Sequence, residues 1–178
     1  MDTNTPPPLE NHDKWRAAFR AGWLAHVERT GQVDWELYTP PNNKRPISGP
    51  GIDLSRSRLA LITSSGAYHK GHQAPFDAES LLGDYTIRAF PLSTPCDELD
   101  YAHTHYDQAA VRQDPQVLLP IAHLRSLLQA GTIGDLAPSQ VHFMGYQPDA
   151  SRVVDETAPA VLEVLRAEKV DAALLVPA

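Results

Sequence analysis

The apolar positions of this chain follow two rhythms, one at the spacing of a helix and one in short, nearly unbroken runs. Trp15, Phe19, Trp23 and Val27 recur at every fourth residue, which predicts an amphipathic helix over residues 11–29, stopped by Thr30 and Gly31. Val154, Ala158, Val161, Leu162 and Leu165 mark one face of a second helix over 150–169. Ile121, Leu124, Leu127 and Leu128 form the stripe of a third over 120–129, with Pro120 in its first turn and Gly131 just past its end. The runs RLALIT (58–63) and VDAALLV (170–176) read as strands buried on both faces. Residues 85–90 form a strand candidate between the Gly83-Asp84 turn and Pro91, and 140–144 form another. Residues 97–105 alternate only weakly, through Leu99 and Tyr101.

Strands interleaved with helices in this order predict an α/β fold: a three-layer domain with a mostly parallel sheet flanked by helices. Residues 1–10, acidic and Pro-rich, read as a disordered arm. Residues 11–51 read as an N-terminal helix followed by the Pro/Gly-rich loop TPPNNKRPISGPG, and 52–178 as the α/β domain.

Composition narrows the function classes. A length of 178 residues suits one domain, at roughly 150 residues per domain. With 15 basic against 22 acidic residues the net charge is −7, so neither a nucleic-acid nor a membrane partner is expected. No apolar run is long enough to span a bilayer. The start of the chain lacks the basic and apolar regions of a secretory signal, and a cytoplasmic location is the default expectation. A single cysteine, Cys96, rules out an internal disulfide framework, and its acidic neighbours in STPCDEL argue against a reactive thiolate.

Two clusters carry candidate chemistry. The first is His103-Thr104-His105-Tyr106-Asp107. In an extended segment His103, His105 and Asp107 share a face, where two imidazoles and a carboxylate suit a metal or an acid–base pair. The blander expectation is a polar loop in which Asp107 caps the next turn. The cluster is similar to the HxHxDH opening of metallo-β-lactamase-like hydrolases, with Gln108 where the last histidine would stand. The second cluster, Thr63 to His72, leaves the carboxyl end of a buried strand, where open α/β sheets bind ligands. Its small residues Ser64, Ser65 and Gly66 admit close approach, and free loop N–H groups there suit a carboxylate. A plain connecting turn is the alternative.

Six stretches, RLALITSSGAYHKGHQAPFD, GDYTIRAFP, HTHYD, PIAHLRSLLQAGTIGDLAP, HFMGYQ and VDAALLVP, together resemble the B subunit family of glycine/sarcosine/betaine reductase and D-proline reductase. The resemblance runs from about Trp35 to the end. It implies a reductase subunit that cleaves a C–N bond of a small amino acid or its N-methylated derivative, with thiols or selenols as electron source and a disulfide or selenenylsulfide as oxidised product. It places a redox cysteine or selenocysteine directly after the strand matched by VDAALLVP, hence beyond residue 178; no other cofactor and no metal is expected. On this reading the α/β domain lacks its final elements. Three explanations stand open: a UGA codon read as selenocysteine, a truncated paralogue, or a separate polypeptide supplying the rest.

The expected site residues are His105 as proton donor to the leaving amine, Asp107 to orient it, and His103 beside them. Ser64, Ser65, Gly66, His72 and Tyr106 would bind substrate. An uncovered apolar face would favour other reductase subunits or a homo-oligomer as partners. A non-catalytic binding or scaffold paralogue, and a metal-dependent hydrolase built on HTHYD, are the competing readings.

Overall fold

The computed structural model describes residues 9–44 and 51–178. The continuous apolar run at Arg58–Thr63 becomes β1, the inner strand of a four-stranded sheet ordered β3-β5-β1-β6. Here β3 is Arg88–Pro91, β5 is Asp135–His142 and β6 is Ala172–Val176. β1 pairs in parallel with both β5 and β6, and β3 adds antiparallel on the outer side of β5. A separate two-stranded ribbon joins β2 (Ala67–His69) to β4 (Leu99–Tyr101). The α/β fold with a mostly parallel sheet flanked by helices is therefore as the pattern predicts.

Three boundaries move for identifiable reasons. β5 begins at Asp135 rather than at residue 140, and the register slips so that Leu59 faces Leu136 while Leu61 faces Gln140. Pro138 sits in that irregularity, where its missing N–H costs no ladder bond, and its carbonyl accepts from Leu92 N–H at 2.7 Å. β3 starts only at Arg88 because Tyr85 is committed elsewhere. Its carbonyl accepts the Thr157 hydroxyl at 2.9 Å, and its own hydroxyl accepts Asp149 N–H at 2.7 Å. The segment read as a loop after β1 contains β2, and a short helix α3 (Ala109–Gln113) follows HTHYD.

One sheet face is packed by Leu59, Leu61, Val111, Leu119, Ile121 and Leu124, so α4 (Ile121–Gln129) covers it with the first half of the predicted stripe, while Leu127 is exposed. The N-terminal helix runs as α1 (His12–Phe19), a π-helical turn (Arg20–Leu24) and α2 (Ala25–Thr30). Trp15, Phe19 and Trp23 stack in series at 5.0 and 5.4 Å and form a second core with Val27 and Leu9. That core closes against the domain through Ala150, and Tyr38 donates to the Pro148 carbonyl at 3.0 Å. After α5 (Ala150–Arg152) and a second π-helical turn comes α6 (Ala158–Ala167), in which no residue is fully buried. β6 is an edge strand with Leu175 66% exposed. Of the predicted arm only its last two residues lie within the described chain.

Candidate functional site

A cavity of about 460 Å³ opens at the carboxyl ends of the parallel strands. Ser64 follows β1, Phe143 follows β5 and Pro177 follows β6, and all three line it together with His103, His105, Gly145 and Tyr146. This is where crevices form in open α/β sheets, because successive strands release their loops on the same side.

The floor is a tightly bonded turn. Ser64 N–H donates to Val176 carbonyl at 3.2 Å and Gly66 N–H to Phe143 carbonyl at 3.0 Å. Ser65 N–H donates to the Thr63 hydroxyl at 3.2 Å and Ala67 N–H to the Ser65 hydroxyl at 3.3 Å. Every backbone donor from 64 to 67 is thus engaged, and the expected grip of free loop amides on a carboxylate has no donors in this turn. Gly66 adopts φ +67°, and a Cβ there would lie 2.8 Å from the Ala102 carbonyl oxygen and 3.1 Å from His103 Cβ. Only glycine lets the two loops come this close.

The donors come from side chains instead. His103 Nδ1 accepts the N–H of His105 at 3.0 Å, so the neutral ring carries its proton on Nε2. The ring is nearly buried, and desolvation followed by the nearby His105 lowers its pKa, which keeps it neutral. Ser64 Oγ accepts Ala178 N–H at 2.9 Å, which leaves its own proton free to donate. Gly145 separates the two groups: a Cβ on it would lie 3.1 Å from His103 Nε2 and 3.3 Å from Ser64 Oγ. Two neutral donors therefore flank one small space, an arrangement suited to a carboxylate or carbonyl oxygen.

His105 forms the opposite wall. It is exposed and stacks on Tyr146 with ring centroids 4.1 Å apart and planes at 6°. Thr104 Oγ1 donates to the Ala78 carbonyl at 3.1 Å, so toward His105 Nδ1, 3.4 Å away, it can only accept. That contact places the neutral ring's proton on Nδ1 and leaves Nε2 of His105 with a bare lone pair. Tyr146 is itself held by its hydroxyl bond to the Leu81 carbonyl at 2.9 Å.

The remaining candidates divide. The chain bends at 104–106 instead of running extended, and of the three only His103 and His105 line the cavity. Asp107 accepts Ala109 N–H at 2.8 Å, capping α3, and does not line the cavity. Tyr106 supports the floor from behind, its hydroxyl donating to the Ser65 carbonyl at 2.9 Å, and burial pushes its pKa up to about 12. Ser65 is wholly buried, and His72 lies against His69 with ring centroids 4.2 Å apart and planes tilted by 32°, outside the cavity lining. Among the described residues no group of three or more His, Cys, Asp or Glu is placed to hold a metal ion, and no helix is long and apolar enough to cross a membrane. Cys96 lines a different, smaller pocket, and burial followed by Asp97 raises its thiol pKa. Phe143, Gly145 and Tyr146 were not among the expected site residues. Their signal was the exit of a strand into Gly-Tyr, on the same side as Ser64.

The pattern of the family described as glycine/sarcosine/betaine reductase selenoprotein B (GRDB) matches residues 27–178. The chain belongs to this family. It is 32% identical over 143 residues to the D-proline reductase subunit gamma of Acetoanaerobium sticklandii, covering 79% of this chain and 56% of that one. It is 30% identical over 142 residues to the glycine reductase complex component B subunit gamma of Carboxydothermus hydrogenoformans, covering 79% and 32%. It is likewise 30% identical over 129 residues to the sarcosine reductase complex component B subunit beta of Peptoclostridium acidaminophilum, covering 71% and 29%. The chain thus spans between about a third and about half of the length of these relatives, which are components of multi-subunit reductases. No solved structure matches it.

Proposed function

We propose that this selenoprotein B family chain supplies the substrate pocket of a thiol- or selenol-dependent reductase that cleaves a C–N bond of a small amino acid or its N-methylated derivative. One observation carries the reading. The stretches that bear the family likeness are far apart in sequence, yet Ser64, His103, His105, Gly145, Tyr146 and Pro177 converge on one cavity.

In this proposal the substrate carboxylate sits between the Ser64 hydroxyl and His103 Nε2–H, in the space Gly145 leaves open. His105, stacked on Tyr146, delivers the proton that the leaving amine needs, a role suited to an imidazole with an unengaged Nε2. Thr104, rather than Asp107, orients that ring. The redox cysteine or selenocysteine that the resemblance implies after Val176 would meet the substrate at the rim formed by Pro177 and Ala178. Other reductase subunits are the partners, and the work is cytoplasmic.

A second reading is a binding paralogue that holds the same carboxylate without a redox step; Cys96 lies away from the cavity in either case. Turnover separates the two. The complete protein with its partner subunits is assayed for consumption of glycine, sarcosine, betaine and D-proline with a dithiol as electron donor. The expected result is consumption of one of them, and a drop of at least about a hundredfold in kcat for His105→Ala. Binding of a substrate without consumption selects the paralogue. Undiminished turnover in His105→Ala removes that residue from the mechanism.

A further inference from the structure

Beneath the cavity lies a buried polar chain. His142, at the end of β5, is fully buried and stacks on Phe90 at 4.6 Å with planes at 9°. Its Nε2 lies 3.1 Å from Gln140 Oε1 and its Nδ1 lies 3.2 Å from Ser65 Oγ. The direction of every proton follows from one end. The Pro91 carbonyl can only accept, so Gln140 turns its Nε2 toward it, at 3.3 Å. Gln140 Oε1 then faces His142 and can only accept, so His142 carries its proton on Nε2. Nδ1 is therefore bare, and the Ser65 hydroxyl must donate to it. A lone pair of that hydroxyl remains to take Ala67 N–H, at 3.3 Å.

An apolar side chain would fill this position at less cost, since burying an imidazole and an amide needs each group satisfied. The chain spends these groups on one residue, Ser65. That residue is also bridged to Met144 and held at its carbonyl by Tyr106. Its neighbour Ser64 presents the free hydroxyl, and Gly66 abuts Ala102 and His103.

We propose that His142 is a positioning residue: through the Ser65 hydroxyl it sets the 64–66 turn, and so the separation of the Ser64 and His103 donors across Gly145. This rests on the proposed pocket, and a displacement of about 1 Å in such a pair costs on the order of a hundredfold in rate.

The test uses the full chain and two independent readouts. Histidine nitrogen NMR on the wild type is expected to show His142 as the neutral Nε2–H tautomer. The ring resonances of His103 are expected to move when the far end of the relay is cut, in both His142→Leu and Ser65→Ala. In the turnover assay with the four substrates above, His142→Leu and Ser65→Ala are expected to lose at least tenfold in kcat. His142→Asn, whose Oδ1 can accept from Ser65 in place of Nδ1, is expected to regain most of it, even with a lower unfolding midpoint.

A purely structural role predicts otherwise: activity would follow the folded fraction, and Asn would do no better than Leu. That outcome, a protonated Nδ1, or unmoved His103 resonances in both variants overturns the proposal. If His142→Leu does not fold, Ser65→Ala decides alone. If the wild type neither binds nor consumes any of the four substrates, the pocket reading fails, and the NMR result still decides the relay.

Discussion

His105 and Tyr146 lie face to face, 4.1 Å between ring centroids and 6° from parallel, although 41 positions separate them in the chain. The stack fixes an exposed imidazole that would otherwise turn freely about its side-chain bonds. Tyr146 is anchored in turn by Leu81 and by an edge contact with Trp35 at 6.1 Å. Such a pair contributes about 0.5–1.5 kcal/mol beyond its buried area. Tyr146→Ala is expected to lower kcat about tenfold in the reductase assay, and Tyr146→Phe, which keeps the stack, to retain most of the wild-type rate. Equal loss in the two variants would show that the hydroxyl, not the ring, matters.

Gly145 should behave as a specificity position. Its backbone needs no positive φ, so Gly145→Ala is expected to fold with a stability change below about 1 kcal/mol. The new methyl, 3.1 Å from His103 Nε2 and 3.3 Å from Ser64 Oγ, would fill the space assigned to the carboxylate. KM is expected to rise at least about tenfold, a loss of about 1.4 kcal/mol in binding. An unchanged KM would place the carboxylate elsewhere.

Gly66 should instead be a stability position. Gly66→Ala puts a Cβ on a residue at φ +67° and 2.8 Å from the Ala102 carbonyl. Strain of this kind costs about 1–3 kcal/mol. Urea unfolding is expected to show that loss, together with shifted His103 resonances as the two loops separate. A variant as stable as wild type would mean the loops are not held in register.

Acid should weaken the fold before its carboxylates protonate. Burial lowers the pKa of His142 to about 3, from an ordinary 6.5, and burial followed by His105 lowers that of His103. Between the folded and unfolded values the unfolded chain binds the proton and the native state does not, so stability rises with pH. For His142 it is complete above about pH 6.5 and lost as the pH falls toward 3, at up to about 1.4 kcal/mol per pH unit, and His103 adds in the same direction. Urea midpoints at about pH 7.5 and about pH 4.5 measure this. In His142→Asn the slope is expected to be shallower; an equal slope would assign the effect to other groups.

The short-range order of the chain was legible without a structure. The fourfold spacing of Trp15, Phe19, Trp23 and Val27 foretold the N-terminal helix, and Ile121 and Leu124 foretold the buried face of α4, because a helix repeats its faces at that period. The runs 58–63 and 170–176 read as two-face-buried strands, and β1 is one, whereas β6 ends on the sheet edge with alternating exposure. Pro138 hid the first half of β5, since a proline in a strand is harmless only where a bulge removes the need for its N–H, and a bulge is a property of two strands. Asp107 looked like a third site member beside His103 and His105 only while the segment was assumed extended.

The sequence by itself determined the fold class and the family, and it singled out three side chains that line the cavity, Ser64, His103 and His105, because local periodicity and short motifs need no knowledge of what lies across the sheet. Tertiary structure alone decided which atoms of those residues face the cavity. It brought Gly145 and Tyr146 to them from the end of β5, spent the loop amides on neighbouring carbonyls and hydroxyls, and set a buried relay from Pro91 to Ser65 beneath the floor. The reason is that hydrogen-bond direction and burial arise between segments distant in sequence. Thr104 and Gln140 stand beside His105 and His142 in the chain, but which way each faces its imidazole is set by a distant carbonyl, that of Ala78 or Pro91.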